Sequence, residues 1–387
     1  MTAQSRLLAR ADFNALIHAL EAQGYRVLGP RERAGAIVFD EITRAEDLPV
    51  GRVSAQQPGS YRLEDSGNGR FFDYVHGPES LKRFLFAPEE RLWTVSAEGT
   101  VSFKETLPEA RPVAVIGARA CDIAGMQVQD RTFLAGNEKI PPLLKGGHGG
   151  IYTDPYYATR RENLFIVAVN CTRSAATCFC ASMDTGPRAR AGYDLALTEL
   201  EDDFLVEANS TAGEALLAAL PLRNADAGAE SAAAEAIEAA AVSQTRRMDT
   251  TGIQALLFDN LEHPRWDDVA ERCLSCGNCT MVCPTCFCHS ETDVTSLDGA
   301  TSEHRRQWDS CFALDHSYLH GAQIRPQIRQ RYRQWLTHKL ASWIEQFGTS
   351  GCVGCGRCIT WCPTGIDLIE EVNAIRATPG AQRAADI

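Results

Sequence analysis

The apolar and polar positions divide the chain into three parts. Residues 1–222 contain short apolar runs between polar stretches, which indicates a mixed α/β domain. Residues 223–250 are rich in alanine and glutamate and favour a surface helix leading to a domain boundary, with a flexible linker as the alternative. Residues 251–387 show helical periodicity around groups of cysteines. The predicted fold class is therefore α+β, an N-terminal mixed α/β domain followed by a C-terminal helical domain.

Two apolar runs in the N-terminal part predict buried central strands. They cover residues 112–117 and 164–169, and their lack of alternation indicates burial on both faces of a sheet. Two further pairs of strands are predicted, one joined by a hairpin turn at residues 97–99 and one formed by residues 193–200 and 203–207.

Three segments predict helices. Residues 1–27 have the pattern of an amphipathic helix and lack the basic start, long apolar stretch and cleavage site of a signal peptide. A second helix begins near Pro264, which suits a first helical turn. Apolar and aromatic side chains recur at three- and four-residue steps from Tyr332 to Phe347, before Gly348. This stripe predicts an amphipathic helix whose aromatic side chains serve packing rather than electron transfer.

Composition and charge exclude several classes of protein. A chain of 387 residues with 44% hydrophobic residues should form two or three domains with buried cores. The formal charge of −12 disfavours nucleic acid and anionic membranes as partners. No apolar run approaches the ~18 residues that span a bilayer. Fifteen cysteines without a leader peptide indicate thiolate ligands in a reducing cytoplasm rather than disulfides.

Two cysteine runs near the C-terminus dominate the candidate chemistry. The first reads Cys273-x-x-Cys276-x-x-Cys279-x-x-x-Cys283-Pro284. The second reads Cys352-x-x-Cys355-x-x-Cys358-x-x-x-Cys362-Pro363. Each has the bacterial ferredoxin spacing, in which one tight loop wraps three thiolates around a [4Fe–4S] cluster. A zinc ribbon is the weaker interpretation, because it uses a pair of Cys-x-x-Cys knuckles rather than a run of four.

The fourth cysteine of each run is predicted to bind the other cluster, as in two-cluster ferredoxins. One cluster would be held by Cys273, Cys276, Cys279 and Cys362. The other would be held by Cys352, Cys355, Cys358 and Cys283. The 68 residues between the runs exceed what a compact ferredoxin needs, so the C-terminal part is predicted to be a helical ferredoxin domain with two [4Fe–4S] clusters.

Seven cysteines lie outside the two runs, and four of them predict a third metal site. Cys121 and Cys171 each follow a predicted central strand, and loops at such strand ends converge. Cys178 and Cys180 lie close after Cys171. A third [4Fe–4S] cluster is the first choice and a four-cysteine zinc site the second, with Asp122 as a possible substitute ligand. Buried structural thiols are the alternative.

The last three cysteines have no assigned role. Thr285-Cys286-Phe287-Cys288 repeats the pattern of Thr177-Cys178-Phe179-Cys180, and Cys311 follows. Any of Cys286, Cys288 and Cys311 could join the third site instead of one of its predicted ligands.

The chain lacks recognisable nucleotide-binding and catalytic motifs. No G-x-G-x-x-G follows a strand, and no Walker sequence occurs. Residues 146–150 indicate a glycine-rich loop rather than a phosphate cradle. The histidines show no paired metal spacing, and no nucleophile is paired with a base. We therefore predict no catalytic residue and no flavin or NAD(P)H site in this chain.

The cysteine segments resemble one known family: the iron–sulfur beta subunit of cytoplasmic NAD(P)-linked sulfhydrogenases, which is related to the iron–sulfur subunit of anaerobic sulfite reductase. The resemblance covers the chain from about Arg111 onward. The segments that carry it are Arg119-Ala120-Cys121-Asp122, Asn170-Cys171-Thr172, residues 177–183, both runs, Cys286-Phe287-Cys288 and Cys311. Arg331-Tyr332-Arg333 and Thr349-Ser350-Gly351 match the hydrogenase branch better.

The resemblance implies an electron-transfer role. A separate flavin subunit would exchange electrons with NAD(P)H, while the small and large subunits of a nickel–iron hydrogenase would hold the catalytic centre. Three alternatives remain open. The partner could be the catalytic subunit of a sulfite reductase, the chain could be a redox enzyme with its own open metal site in the N-terminal domain, or its clusters could be structural or sensing.

Overall fold

The computed structural model describes residues 5–97, 99–134 and 152–378. The strands in these ranges are β1 (Arg6–Ala9), β2 (Arg26–Arg33), β3 (Ala36–Glu41), β4 (Arg52–Gln57), β5 (Ser60–Asp65), β6 (Glu89–Ser96), β7 (Ser102–Glu105), β8 (Val113–Ala118), β9 (Leu164–Val169), β10 (Leu195–Glu199), β11 (Asp203–Ala208), β12 (Leu222–Asn224), β13 (His289–Thr295), β14 (Thr301–Trp308), β15 (Tyr318–Leu319) and β16 (Ala322–Gln323). The helices are α1 (Phe13–Ala22), α2 (Lys82–Leu85), α3 (Ala120–Phe133), α4 (Pro155–Glu162), α5 (Thr211–Leu217), α6 (Ala227–Val242), α7 (Ile253–Asp259), α8 (Arg265–Arg272), α9 (Asn278–Met281), α10 (Ile328–Thr337), α11 (Trp343–Phe347), α12 (Arg357–Thr360) and α13 (Leu368–Ala377).

The N-terminal part is built on an eight-stranded sheet of order β12-β1-β11-β10-β9-β8-β2-β3. Its centre is parallel, because β2, β8, β9 and β10 pair in the same direction. The two predicted central strands are confirmed as β8 and β9, which are adjacent and almost fully buried. The predicted pair at residues 193–207 is confirmed as β10 and β11. The carboxyl ends of β8 and β9 therefore lie side by side.

The prediction of one helix over the first 27 residues is wrong at its start. Arg6–Ala9 forms β1, which pairs with β11 on one side and β12 on the other. The helix α1 begins only at Phe13. The two apolar residues Leu7 and Leu8 are buried on opposite faces of the sheet, at 5% and 0% exposure. Pairing with distant strands outweighs the local helical periodicity here.

A second sheet contains strands from both the N-terminal and the C-terminal parts of the chain. The predicted hairpin is confirmed as β6 and β7, and its sheet has the order β13-β14-β6-β7. The strands β13 and β14 fall in the part of the chain that was expected to be helical, so that expectation is wrong for residues 289–308. These residues are mostly polar, and all of them except Arg306 are exposed or half-buried. Pairing of β14 with β6, rather than an apolar pattern, keeps them extended.

The remaining helix predictions agree with the structure. The alanine-rich segment forms α6, and Pro264 directly precedes α8. The aromatic stripe forms α10 and α11, which are joined by a turn of π-helix at His338–Ser342. Its side chains lie in the core as predicted, and Gly348 ends α11 with a φ of +67°. The division of the chain around residues 223–250 stays a prediction.

The glycine-rich loop at residues 146–150 lies outside the described residues. Among the helices that the structure describes, none combines the length and the apolar character needed to cross a membrane.

Candidate metal centre

The first group of thiols joins the first cysteine run to the last cysteine of the second. Cys273, Cys276, Cys279 and Cys362 line one cavity, together with Tyr332 and Trp335 of the aromatic stripe. Cys358 of the second run also reaches this cavity, and side chains of the C-terminal core complete its wall. We call these four cysteines the outer group, because Cys276 is exposed whereas all other cysteines are buried or half-buried.

Local backbone geometry holds the outer group. The helix α8 ends at Cys273, and Ser275 and Gly277 adopt positive φ values of 54° and 77°. This turn lets the Ser275 N–H donate to the Cys273 Sγ at 3.4 Å. The Ile366 N–H donates to the Cys362 Sγ at the same distance. Such backbone donors stabilise negative charge on sulfur.

The second group joins the second run to the last cysteine of the first. Cys283 lies in electrostatic contact with Cys352, Cys355 and Cys358. We call these four the inner group, since Cys283, Cys352 and Cys355 are all buried. The two predicted ligand sets, each completed by the last cysteine of the other run, are thus brought together in space. Their binding of clusters remains a proposal.

The loop of the inner group requires glycine. Gly356 has a φ of +76°, and a Cβ there would lie 2.1 Å from the Thr177 carbonyl oxygen. Gly354, with a φ of +63°, would place a Cβ 2.7 Å from the backbone of Cys180. A segment of the N-terminal part therefore lies directly on the loop that carries Cys352, Cys355 and Cys358.

Lys339 is a buried cation at the inner group. Its ammonium donates to the Cys283 Sγ at 3.2 Å, to Thr285 Oγ1 at 3.1 Å and to the Gly351 carbonyl at 3.2 Å. The hydrogen bond from Cys286 and the Lys339 charge lower the pKa of Cys283 well below its usual value. Burial opposes the charge of Lys339, yet the neighbouring Cys283 and Cys286 raise its pKa. Cys283 is thereby held as a thiolate that is ready to bind metal.

We expect Lys339→Met to lower the reduction potential of the inner group's cluster. A positive charge beside a ligand sulfur favours the electron-rich state, and its loss removes that preference. Hydrogen bonds to charged groups contribute ~1.5–3 kcal/mol, which corresponds to about 60–130 mV for a one-electron couple. The measurement is an anaerobic redox titration followed by electron paramagnetic resonance. Lys104→Met, on the exposed strand β7, is the matched control; an equal shift in both variants would contradict this role of Lys339.

The third predicted set also comes together, at the rim of the large sheet. Cys121 lies in the first turn of α3 after β8, and Cys171 follows the adjacent strand β9. Cys178 and Cys180 lie in a loop that folds back over this rim. Burial and then the neighbouring Cys171 raise the pKa of Cys180 to about 12. Burial and then Cys180 raise the pKa of Cys178 well above its usual value. We call these four cysteines the rim group.

Polar side chains support the rim group. Gln244 Nε2 donates to the Cys180 Sγ at 3.2 Å, and Arg119 Nη1 donates to the Cys171 Sγ at 3.9 Å. Asp122, the possible substitute ligand, already forms other polar contacts. Its carboxylate forms an ion pair with Arg357 at 2.7 Å, and both side chains are almost completely buried. The carboxylate also accepts the Arg119 N–H at 3.1 Å. These contacts favour the four thiols over Asp122 as ligands.

The three groups form a continuous row. Cys358 of the inner group is in electrostatic contact with Cys279 of the outer group. On the opposite flank, Cys121 packs against Cys355, and the Cys178 thiol donates to the Cys355 carbonyl at 3.9 Å. The order along the row is therefore outer, inner and rim.

The spacing of these thiols tests which metal they fit. Among the described residues, no three His, Cys, Asp or Glu side chains are arranged to hold a single metal ion. The cysteines of the outer and inner groups, which have ferredoxin spacing, are likewise not arranged around a single metal ion. Ligands of a [4Fe–4S] cluster surround several irons and sit farther apart than ligands of one zinc ion. For the outer and inner groups, the ferredoxin spacing favours [4Fe–4S] clusters over zinc.

Cys286, Cys288 and Cys311 do not join the rim group. Cys286 hydrogen-bonds with Cys283 and lies 3.6 Å from the Lys339 ammonium. Cys288 directly precedes β13 and Cys311 follows β14, so both lie beside the second sheet.

Three supporting residues were missed by the sequence reasoning. Lys339 is a lysine on the buried face of the aromatic stripe, and Arg357 is a charge inside a ligand loop. Both are irregularities that could have been noticed in the sequence. The contact of Gln244 with Cys180 has no such signal, because it depends on where α6 ends relative to the rim group.

Comparisons with known proteins cover both cysteine runs. A family model described as a 4Fe-4S dicluster domain matches residues 272–366. Sulfhydrogenase 2 subunit beta of Pyrococcus furiosus is 29% identical over 342 residues, which cover 84% of this chain and 93% of the relative. No solved structure matches the chain significantly. The resemblance predicted from the cysteine segments is confirmed: this chain carries a 4Fe-4S dicluster domain and is a homologue of the sulfhydrogenase beta subunit.

Proposed function

We propose that this protein is an iron–sulfur subunit that relays electrons between a flavin- and NAD(P)H-binding partner and a catalytic subunit. The homology to a sulfhydrogenase beta subunit, together with the dicluster domain, supports an electron-transfer role. The observation that carries the relay is the row of outer, inner and rim thiol groups: Cys358 lies within electrostatic range of Cys279, and Cys355 lies in one hydrophobic cluster with Cys121 and accepts a hydrogen bond from Cys178. The relative's name favours a sulfhydrogenase as the assembly. We propose that the catalytic partner is a nickel–iron hydrogenase with small and large subunits.

The residues of this chain would determine how the relay works. When bound, [4Fe–4S] clusters supply reversible one-electron transfer. Cys273, Cys276, Cys279 and Cys362 would hold one cluster, and Cys352, Cys355, Cys358 and Cys283 the second. The rim group would hold a third. Burial of the inner group excludes water, while Lys339 provides positive charge beside one ligand.

The exposed end of the row indicates where a partner approaches. Cys276 is the exposed thiol of the outer group, and the neighbouring Leu274 is 64% exposed. A partner that docks at this exposed edge would lie close to the outer group, and a short distance favours electron exchange between them. We infer that one partner subunit docks over Cys276 and Leu274.

The test is a comparison of two activities in the tagged complex purified anaerobically. The expected partners are the two hydrogenase subunits and a flavin subunit. Cys362→Ser should abolish NAD(P)H-linked hydrogen turnover, since electrons must cross this chain. It should leave hydrogen oxidation by a viologen dye intact, because the dye takes electrons from the hydrogenase itself. Loss of both activities, or of neither, would contradict the relay. Recovery of a sulfite reductase catalytic subunit would instead support the alternative branch.

We expect the isolated chain to bind neither flavin nor NAD(P)H, because it has no glycine-rich fingerprint at a strand–helix junction. The measurement is the flavin released from pure, partner-free protein on denaturation, with the purified complex as the positive control. A stoichiometric amount of flavin from the isolated chain would show that a nucleotide site was missed.

A further inference from the structure

The second sheet has one face on which aromatic and apolar side chains stay partly exposed. Residues directly opposite each other in antiparallel strands lie on the same face of a sheet. One row of such residues crosses all four strands and consists of Asp293, His304, Trp93 and Glu105. The neighbouring row on the same face consists of Thr295, Ser302, Val95 and Phe103. We call the surface formed by these two rows the aromatic face.

Three rings form the centre of the aromatic face. Trp93 stacks on His304 with ring centroids 3.9 Å apart and an interplanar angle of 11°, and the Phe103 centroid lies 5.6 Å from that of Trp93. Phe103 is nevertheless 63% exposed. Val101 and Leu107, which lie at even spacing from Phe103 along the same edge of the sheet, are 70% and 50% exposed. Exposed apolar side chains that lie together in this way mark an interaction site, whereas isolated ones are ordinary surface.

The opposite face of the same sheet has the character of a solvated surface. One of its rows consists of Val294, Glu303, Thr94 and Lys104. The charges there pair with one another, since Glu303 forms ion pairs with Arg91 at 2.8 Å and with Arg305 at 2.7 Å. Exposed ion pairs of this kind are at ease in water. The difference between the two faces indicates that the aromatic face is the one that contacts another molecule.

Carboxylates border the aromatic face at both edges of the sheet. The ring nitrogens of His304 lie 2.7 Å from Asp293 Oδ1 and 3.2 Å from Glu291 Oε2. The Asp293 and Glu291 side chains are still 72% and 46% exposed. At the other edge, Glu105 of β7 is exposed as well. Three carboxylates surround one imidazole, so the border carries excess negative charge and attracts a cationic partner.

We propose that the aromatic face binds a basic segment of a partner protein, in which an arginine or lysine lies beside an apolar side chain. A guanidinium can stack on an aromatic ring while it pairs with carboxylates. The apolar side chain would cover Phe103. An aromatic centre with a polar border is the usual anatomy of a protein interface. The inference rests on the proposed function in one respect, that the partner is a subunit of the same assembly.

Two other occupants fit the aromatic face less well. Single-stranded nucleic acid stacks on aromatic side chains, but its phosphates would meet the bordering carboxylates and a chain with a formal charge of −12. A second copy of this chain would bring like carboxylates against one another, which is unfavourable. A basic protein segment satisfies both the rings and the carboxylates.

The first test is photocross-linking in the assembled complex, purified anaerobically through a tag on this chain. Phe103→p-benzoylphenylalanine places a photoreactive ring within the proposed interface. Irradiation should join residue 103 to a partner subunit, and mass spectrometry should locate the link in a segment that contains arginine or lysine. The matched control is Val294→p-benzoylphenylalanine, because Val294 is 47% exposed on the opposite face. The control should give no link to that segment.

The second test changes the apolar and the charged parts of the aromatic face separately. Phe103→Glu removes the apolar anchor, and Glu105→Arg reverses one bordering charge. Each should weaken retention of the cross-linked subunit by about tenfold or more. Higher salt should also weaken its retention by wild type, because exposed charges are screened. Val294→Glu should retain the subunit as wild type does, and unchanged iron content should show that every variant folds.

Several results would overturn the proposal. One is a link from residue 103 to this chain or to a second copy of it. Another is an intact complex with no link from residue 103, or a link only to a segment without arginine or lysine. A third is loss of the subunit in Val294→Glu that equals the loss in Phe103→Glu. These results would contradict this surface alone, whereas a wild-type chain that purifies without any partner would contradict the proposed function as well.

Discussion

Replacing Cys283 by serine is expected to disturb the cluster of the inner group and to leave that of the outer group intact. Cys283 belongs to the first run in sequence but contacts Cys352, Cys355 and Cys358 in space. A serine oxygen is a poorer iron ligand than a thiolate. The variant also removes the sulfur partner of Lys339. We expect the inner cluster's paramagnetic signal to be lost or strongly changed, with iron falling by up to about four atoms per chain.

The matched control is Cys362→Ser, which should produce the converse result. Cys362 lies with Cys273, Cys276 and Cys279, so only the outer cluster's signal should change. The signals are assigned beforehand with Cys276→Ser and Cys355→Ser, which belong to the outer and inner groups under either pairing. If Cys283→Ser altered the same signal as Cys276→Ser, each run would bind its own cluster and the crossed pairing would be wrong.

Replacing Cys171 by alanine is expected to remove a third cluster. Three [4Fe–4S] clusters correspond to about twelve iron atoms per chain, and the variant should retain about eight. The reason is electrostatic: four neighbouring thiols, three of them buried and one half-buried, cannot all ionise unless a metal neutralises them. The measurement is iron, zinc and sulfide analysis of the anaerobic full-length protein.

The control for this prediction is Thr172→Ala, in the same loop after β9, which should keep the full iron content. About eight iron atoms in wild type, together with four alkylatable thiols at Cys121, Cys171, Cys178 and Cys180, would make the rim group a set of structural thiols. One zinc atom in place of about four irons would instead support the zinc alternative.

The sequence predicts the elements whose patterns are local. β8 and β9 are uninterrupted apolar runs, and such runs indicate central strands without knowledge of their neighbours. The aromatic stripe of α10 and α11 likewise indicates its own buried face. The prediction fails at β1 and at β13–β14, where a strand exists because another strand is available to pair with it. Local periodicity carries no information about a partner about 200 residues away.

Some features of the candidate sites can likewise be predicted from the sequence, whereas others depend on the tertiary structure. The spacing of the two runs determines which three thiolates share one loop, because a two-residue step allows only a tight turn around one cluster. The sequence also placed Cys121 and Cys171 at the ends of strands. Only the tertiary structure decided that Lys339 faces Cys283 and that Asp122 is engaged by Arg357. Each of these contacts joins segments that lie far apart in the chain or on different elements, so packing of the whole fold, rather than any local pattern, sets them.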